Sequence, residues 1–102
     1  MNELRCKVEF VLPASEIGRV SYRPCDEGVE IVLDLHGLTC RDARRIIVNL
    51  VNILRQRVWI VLIHGYRHGT AIKDMLPTIR NEHIAMMQPD PHNQGRTHLL
   101  TA

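Results

Sequence analysis

A chain of 102 residues is long enough for one domain with a single hydrophobic core, and its 45% hydrophobic content excludes a largely disordered protein. The net charge of +2 is only mildly basic, so charge alone does not identify the chain's partners. Cys6, Cys25 and Cys40 form no Cys-x-x-Cys pair, which favours reduced thiols in the cytoplasm over a disulfide scaffold. The sequence shows no signal peptide and no apolar run of the ~18 residues that span a membrane. We therefore expect no membrane partner.

The first 28 residues are predicted to form an N-terminal extension made of a strand and a loop. Residues 4–12 alternate between apolar and polar side chains, and this period of two indicates a half-buried strand. Pro13 is predicted to end the strand. The mixed residues that follow predict a loop with a short strand around residues 19–23.

Residues 29–102 are predicted to form the main domain, which begins with a strand and a helix. Residues 29–35 are apolar and β-branched apart from Asp34, as in a strand buried on both faces of a sheet. Residues 40–56 place their apolar side chains at helical spacing. Thr39 is the predicted N-cap of this amphipathic helix.

The remainder of the domain repeats this alternation less regularly. We predict a second buried strand at residues 58–63, a helix from Thr70 that kinks or ends early at Pro77, a third strand at residues 84–87, and a short last strand at residues 97–101, antiparallel at an edge of the sheet.

The order of these elements predicts an α/β fold. Strands that alternate with helices imply right-handed crossovers and parallel neighbours. We therefore expect a two-layer α/β sandwich with a mainly parallel sheet of about four strands and two helices, plus the extra N-terminal strand.

Chemically active side chains are concentrated where two predicted strands end in His-Gly. Asp34 and His36 are two residues apart and share one face of the first strand, and His64 ends the second strand. Because ligands of open α/β sheets usually bind at the carboxyl ends of the strands, we expect these three side chains to converge. We assign the catalytic role to Asp34, His36 and His64.

The loops after these strands favour binding to a phosphate backbone. Both loops open predicted helices, whose N-terminal amides favour anions, and they carry arginines for phosphate and a tyrosine that stacks on a base. We assign nucleic-acid binding to Gly37, Arg41, Arg44, Gly65, Tyr66, Arg67, His68 and Gly69.

Two catalytic schemes fit these residues, and the sequence leaves both open. In the first, His36 or His64 is a general base or acid, Asp34 orients an imidazole, and water or an RNA 2′-hydroxyl is the nucleophile. In the second, Asp34 and one or more histidines bind a divalent metal, magnesium or manganese, that activates water. A zinc site at His36, His64 and His68 lacks a diagnostic spacing, and we assign no residue as a metal ligand.

At these residues the chain resembles the small MutS-related (Smr) domain family. The family has a Leu-Asp-Leu-His-Gly signature, which residues 33–37 match completely, and a His-Gly-x-Gly loop, which begins here at His64. The family's loop usually reads His-Gly-Lys-Gly-x-Gly, so that Tyr66 replaces the lysine and Arg67 the second glycine. The resemblance spans residues 29–101.

The resemblance implies a two-layer α/β sandwich similar to the C-terminal domain of translation initiation factor three. It also implies binding to DNA or RNA and, in many members, endonuclease activity that a divalent metal sometimes aids. By this resemblance the cleavage positions fall on Asp34 and His36, and the loop positions on His64 and Gly65.

We predict a nucleic-acid-binding protein that cleaves phosphodiesters, and we weigh two alternatives. One is a non-catalytic module that binds RNA, DNA or a ribosome; the other is a protein-interaction adaptor. The intact Asp-Leu-His favours cleavage, whereas the altered second loop favours binding without cleavage. The sequence does not indicate an oligomeric state.

Overall fold

The computed structural model describes residues 2–67 and 69–102. These residues form four α-helices, one 3₁₀ helix and five β-strands. In chain order the elements are α1 (Asn2–Val11), α2 (Ala14–Ile17), β1 (Val20–Cys25), β2 (Gly28–Asp34), α3 (Cys40–Leu54), β3 (Trp59–Ile63), α4 (Ala71–Met75), the 3₁₀ helix (Leu76–Thr78), β4 (Ile84–Pro89) and β5 (Arg96–Thr101).

The five strands form one mixed sheet in the order β1-β2-β3-β5-β4. Only β2 and β3 are parallel neighbours, and α3 connects them. The other three neighbouring pairs are antiparallel. The predicted mainly parallel sheet of about four strands with two helices is therefore wrong for the described residues.

Two antiparallel connections explain this difference. The turn between β1 and β2 contains only residues 26–27, and Gly28 follows it with a φ of 118°, which a glycine adopts at little cost. The loop between β4 and β5 spans residues 90–95. Chain reversals this short cannot make parallel crossovers, which need a dozen or more residues.

The last strand also lies in a different place from the predicted one. β5 is antiparallel, as expected, but it pairs with β3 on one side and β4 on the other, so it is an interior strand. Leu99 and Leu100 on β5 are buried, whereas Met86 on β4 is 46% exposed. The edge position predicted for residues 97–101 therefore belongs to β4.

The predicted N-terminal strand at residues 4–12 is wrong, because residues 4–11 belong to helix α1 and Leu12 follows its end. Leu4, Val8 and Leu12 are spaced four residues apart, which fits one face of a helix as well as one face of a strand, and all three are buried in the core. Phe10, which a strand would place on the same face, is 82% exposed. Lys7 also donates a hydrogen bond from Nζ to the carbonyl of Leu54, which ties α1 to the end of α3.

The elements that carry the two His-Gly loops agree with the predictions. β2, α3 and β3 occupy the segments predicted for them. The hydroxyl of Thr39 accepts a hydrogen bond from the backbone N–H of Asp42 at 3.1 Å, which confirms the N-cap. The second helix ends early, because Pro77 lies in the 3₁₀ helix that follows α4.

The hydrophobic core lies between the helices and one face of the sheet. Each central strand and α3 contribute side chains with almost no exposed surface. The fully buried members include Ile31, Leu33, Ile46, Ile47, Leu50, Ile60, Leu62 and Leu99. Among the described residues, the helices are too short or too polar to cross a bilayer.

Candidate functional site

The first His-Gly loop is a tight turn between β2 and α3. The backbone N–H of Leu35 bonds to the carbonyl of Ile63 at 2.7 Å, which keeps the end of β2 beside β3. Gly37 has a φ of 80°, a left-handed conformation that side chains with a Cβ rarely adopt. This turn leaves the side chains before α3 at the exposed edge of the sheet.

Asp34 and His36 form a hydrogen-bonded pair at this edge. Nδ1 of His36 lies 2.5 Å from Oδ1 of Asp34, and the same oxygen accepts the backbone N–H of His36 at 3.1 Å. Because a carboxylate can only accept, Nδ1 carries the hydrogen, and in the neutral ring Nε2 carries the lone pair. The His36 side chain is 68% exposed, so Nε2 is accessible to a ligand.

Arg19, from the segment before β1, stabilises the turn through hydrogen bonds to its backbone. Its Nη1 donates to the carbonyl oxygens of Asp34 at 3.2 Å and His36 at 3.0 Å. Its own carbonyl accepts the backbone N–H of Asp34 at 2.9 Å. The N-terminal segment therefore contributes to the geometry of the candidate site. No motif marks Arg19 in the sequence, so this contact was not predicted.

We expect Arg19→Gln to lower the free energy of unfolding by about 1–3 kcal/mol, because it removes two charge-assisted hydrogen bonds from the turn. Arg23→Gln is the matched control. Among the described residues, the side chain of Arg23 bonds only to the carboxylate of Glu30. Such a surface ion pair contributes about 0–1 kcal/mol to the free energy of unfolding. Urea unfolding followed by circular dichroism measures both values, and equal losses would contradict the role of Arg19.

His64 ends β3, but its ring is turned into the protein and only 7% of the residue is exposed. Nδ1 lies 2.8 Å from the carbonyl oxygen of Gly65, so this nitrogen donates. Nε2 lies 2.9 Å from the hydroxyl of Thr97, which can donate to the neutral ring. Both ring nitrogens are thus engaged, an arrangement that suits positioning of the loop. A catalytic role for His64 stays a prediction.

The second His-Gly loop is anchored to the start of β5. The carbonyl oxygen of Gly95 accepts the backbone N–H groups of His64 at 2.9 Å and Gly65 at 3.1 Å. A Cβ on Gly95 would lie 3.3 Å from the Cα of Gly65 and 3.4 Å from the ring of Tyr66. The loop therefore packs closely on the residues that precede β5.

The two loops line one pocket of about 650 Å³. His36 and Gly37 contribute from the first loop, and residues 64–67 and Gly69 from the second. The structure thus brings seven of the predicted site residues to one cavity. His68 lies outside the described residues.

The predicted arginines of α3 lie apart from this pocket. Arg41 and Arg44 are exposed on the first turns of α3 and do not line the cavity. Their neighbour Arg45 binds the carboxylate of Glu16 at 2.8 Å, and this hydrogen bond raises the pKa of the Arg45 guanidinium. A nucleic-acid-binding role for Arg41 and Arg44 stays a prediction.

Sequence reasoning missed the third wall of the pocket, which comes from the segment before β5 and the first residue of that strand. Asn93, Gly95 and Arg96 all line the cavity. Arg96 pairs in register with Ile63 of β3, which pairs in turn with Asp34 of β2. Only the pairing of β5 with β3 brings Arg96 here.

Asp90 holds the turn that carries this third wall. Its carboxylate accepts the backbone N–H groups of His92 and Asn93 and lies 2.8 Å from Nε2 of His98. These contacts, first the hydrogen bond to His98, lower the pKa of Asp90 from 3.8 to about 2. Asp90 is therefore a structural carboxylate that fixes the turn before β5 and does not itself line the pocket.

Asp90→Asn is expected to destabilise the protein near neutral pH and much less near pH 2. Because the folded state lowers the pKa of Asp90, its contribution is complete above pH 4 and is lost as the pH falls towards 2. Urea midpoints of the wild type and the variant, measured between pH 2 and 6, should converge in acid. In a His98→Gln background, the effect of Asp90→Asn on the urea midpoint should depend less on pH. An effect of Asp90→Asn that stays the same from pH 2 to 6 in the wild-type background would contradict the assignment.

Comparison with protein-family models, with curated proteins and with solved structures found no match in any of the three. The resemblance to the Smr family therefore rests on the sequence motifs alone and stays a prediction.

The described side chains at the site supply too few donors for a metal centre by themselves. In the described part of the chain no group of three or more histidine, cysteine, aspartate or glutamate side chains is placed to hold an ion. Asp34 and His36 supply two donors, and one oxygen of Asp34 already bonds to the ring of His36. We therefore derive no chemical step through a resident metal.

Proposed function

We propose that the chain is an Smr-like domain that binds DNA or RNA in the cytoplasm and cleaves a phosphodiester bond with the Asp34–His36 pair. The observation that carries this proposal is the exposed Nε2 of His36, oriented by Asp34 beside a pocket lined by Arg67 and Arg96. No acidic side chain is among the described residues that line this pocket, which favours an anionic ligand.

In the proposed reaction, neutral His36 is the general base. Its Nε2 takes a proton from water or from an RNA 2′-hydroxyl while that oxygen forms a bond to phosphorus. The bond from phosphorus to the leaving oxygen breaks, and the leaving oxygen takes a proton from solvent. Asp34 stabilises the imidazolium that forms, and Arg67 and Arg96 neutralise charge on the phosphate.

The test is incubation with end-labelled single-stranded RNA, duplex DNA and branched DNA, each with magnesium, manganese or a chelator. The reactions with magnesium or manganese show whether cleavage requires a divalent ion that arrives bound to the nucleic acid. Cleavage by the wild type and its loss in His36→Ala would support the proposal. Cleavage of RNA alone, with a cyclic phosphate product, would identify the 2′-hydroxyl as the nucleophile.

A second candidate is a binding module without catalysis, directed to RNA, DNA or a ribosome. Tyr66 and Arg67 favour it, because both are exposed and stand where the family's loop has lysine and glycine. This candidate predicts salt-dependent affinity and intact substrates in every arm. A protein-interaction adaptor, by contrast, predicts no salt-dependent affinity for nucleic acid at all.

A further inference from the structure

The pocket between the two loops combines apolar and cationic walls. Leu38, Ile63 and Ile72 give it an apolar lining, and Ile72 is only 8% exposed. Arg67 and Arg96 supply positive charge. A ligand that matches both walls has an apolar or aromatic part attached to an anion.

Tyr66 adds an aromatic ring at the opening of this pocket. Its ring lies beside Gly95, and 43% of the residue is exposed. An exposed tyrosine next to arginines is the combination that stacks on a nucleobase while the arginines bind its phosphate.

The size of the cavity limits what enters it. At about 650 Å³ it falls within the range of pockets that hold one small molecule, and a stacked base pair within a duplex cannot be inserted into such a cavity. A paired base would first have to leave the helix, which costs a few kcal/mol. The cavity therefore suits a single unpaired nucleotide.

We propose that this pocket binds the base of one unpaired nucleotide, so that the substrates are single strands or the unpaired ends of branched nucleic acids. The inference rests on the proposed function and adds the substrate class to it. His36 lines the same cavity, so a base inside it holds the adjoining phosphate within reach of the Asp34–His36 pair.

The experiment measures equilibrium affinity by fluorescence anisotropy, in chelator and at fixed salt. The probes are a labelled 12-nucleotide single-stranded DNA, the same strand in a blunt duplex, and a strand of the same length with an abasic backbone. The abasic strand keeps the phosphates and lacks the bases. We expect the wild type to bind the normal single strand about 5- to 150-fold more tightly than the abasic strand, and more tightly than the duplex.

The variants separate base binding from phosphate binding. Tyr66→Ala should weaken binding to the normal strand about 5- to 150-fold and leave the abasic strand unchanged, while Tyr66→Phe should retain the wild-type affinity. Arg96→Gln should weaken binding to both strands. Tyr66 is 43% exposed and lies outside the core cluster, so its replacement leaves the core intact.

The outcomes distinguish the two proposals. Equal affinity of the wild type for normal, abasic and duplex DNA would overturn the base pocket and leave nucleic-acid binding in place. Equal loss on the normal and abasic strands in Tyr66→Ala would also overturn it. Absence of measurable binding to every DNA probe, and to the same 12-nucleotide strand made as RNA, would instead overturn the proposed function itself.

Discussion

His36→Ala is expected to lower the rate of phosphodiester cleavage by about 100- to 10,000-fold, the usual contribution of a positioned general base. Affinity for uncleaved substrate should change little, because Arg67, Arg96 and the apolar lining of the pocket are untouched. Asp34→Ala should reduce the rate similarly, since the carboxylate accepts from Nδ1 of His36 and orients the ring. Single-turnover kinetics with saturating protein separates these effects from binding.

His83→Ala is the control for this experiment. His83 lies just before β4 at the other end of the sheet, where its carbonyl accepts the N–H of Ala102. It lines neither loop of the site, so both rate and affinity should equal those of the wild type. If the His36→Ala preparation cleaves as fast as the wild type, the pair has no chemical role and the second candidate function is favoured.

The unit β2–α3–β3 could be predicted because its signals are local. Two short apolar runs flank a segment with helical spacing. Thr39 caps the helix through a hydrogen bond with Asp42, only three residues further along the chain. A helix connection between two neighbouring strands makes them parallel, so their carboxyl ends meet. The sequence alone therefore predicts His36 and His64 at one edge of the sheet.

The rest of the sheet could not be predicted, because it depends on which strands pair over long distances. The alternation of strands and helices after residue 63 suggested another crossover, yet β5 inserts between β3 and β4. Arg19 reaches the turn across 15 and 17 residues of chain, and Arg96 arrives through an antiparallel register. Contacts of this kind leave no periodic signal in the sequence.

The N-terminal segment was misread for a different reason: its apolar residues satisfy two periodicities at once. Leu4, Val8 and Leu12 are separated by four residues, which fits one face of a helix, and by multiples of two, which fits one face of a strand. Phe10 fits only the strand, and in the structure it faces solvent. The hydrophobic pattern alone therefore could not decide between the two.

Leu4→Ala is expected to lower the free energy of unfolding by about 2–5 kcal/mol, because it removes a side chain from the core shared with α3. Phe10→Ala, on the same helix but 82% exposed, should change stability by less than about 0.5 kcal/mol. A strand at residues 4–12 would put both side chains on one buried face and make the two losses comparable. Urea unfolding of the two variants therefore tests whether this segment is a helix: a large loss for both would contradict α1, and a large loss for Leu4→Ala alone would support it.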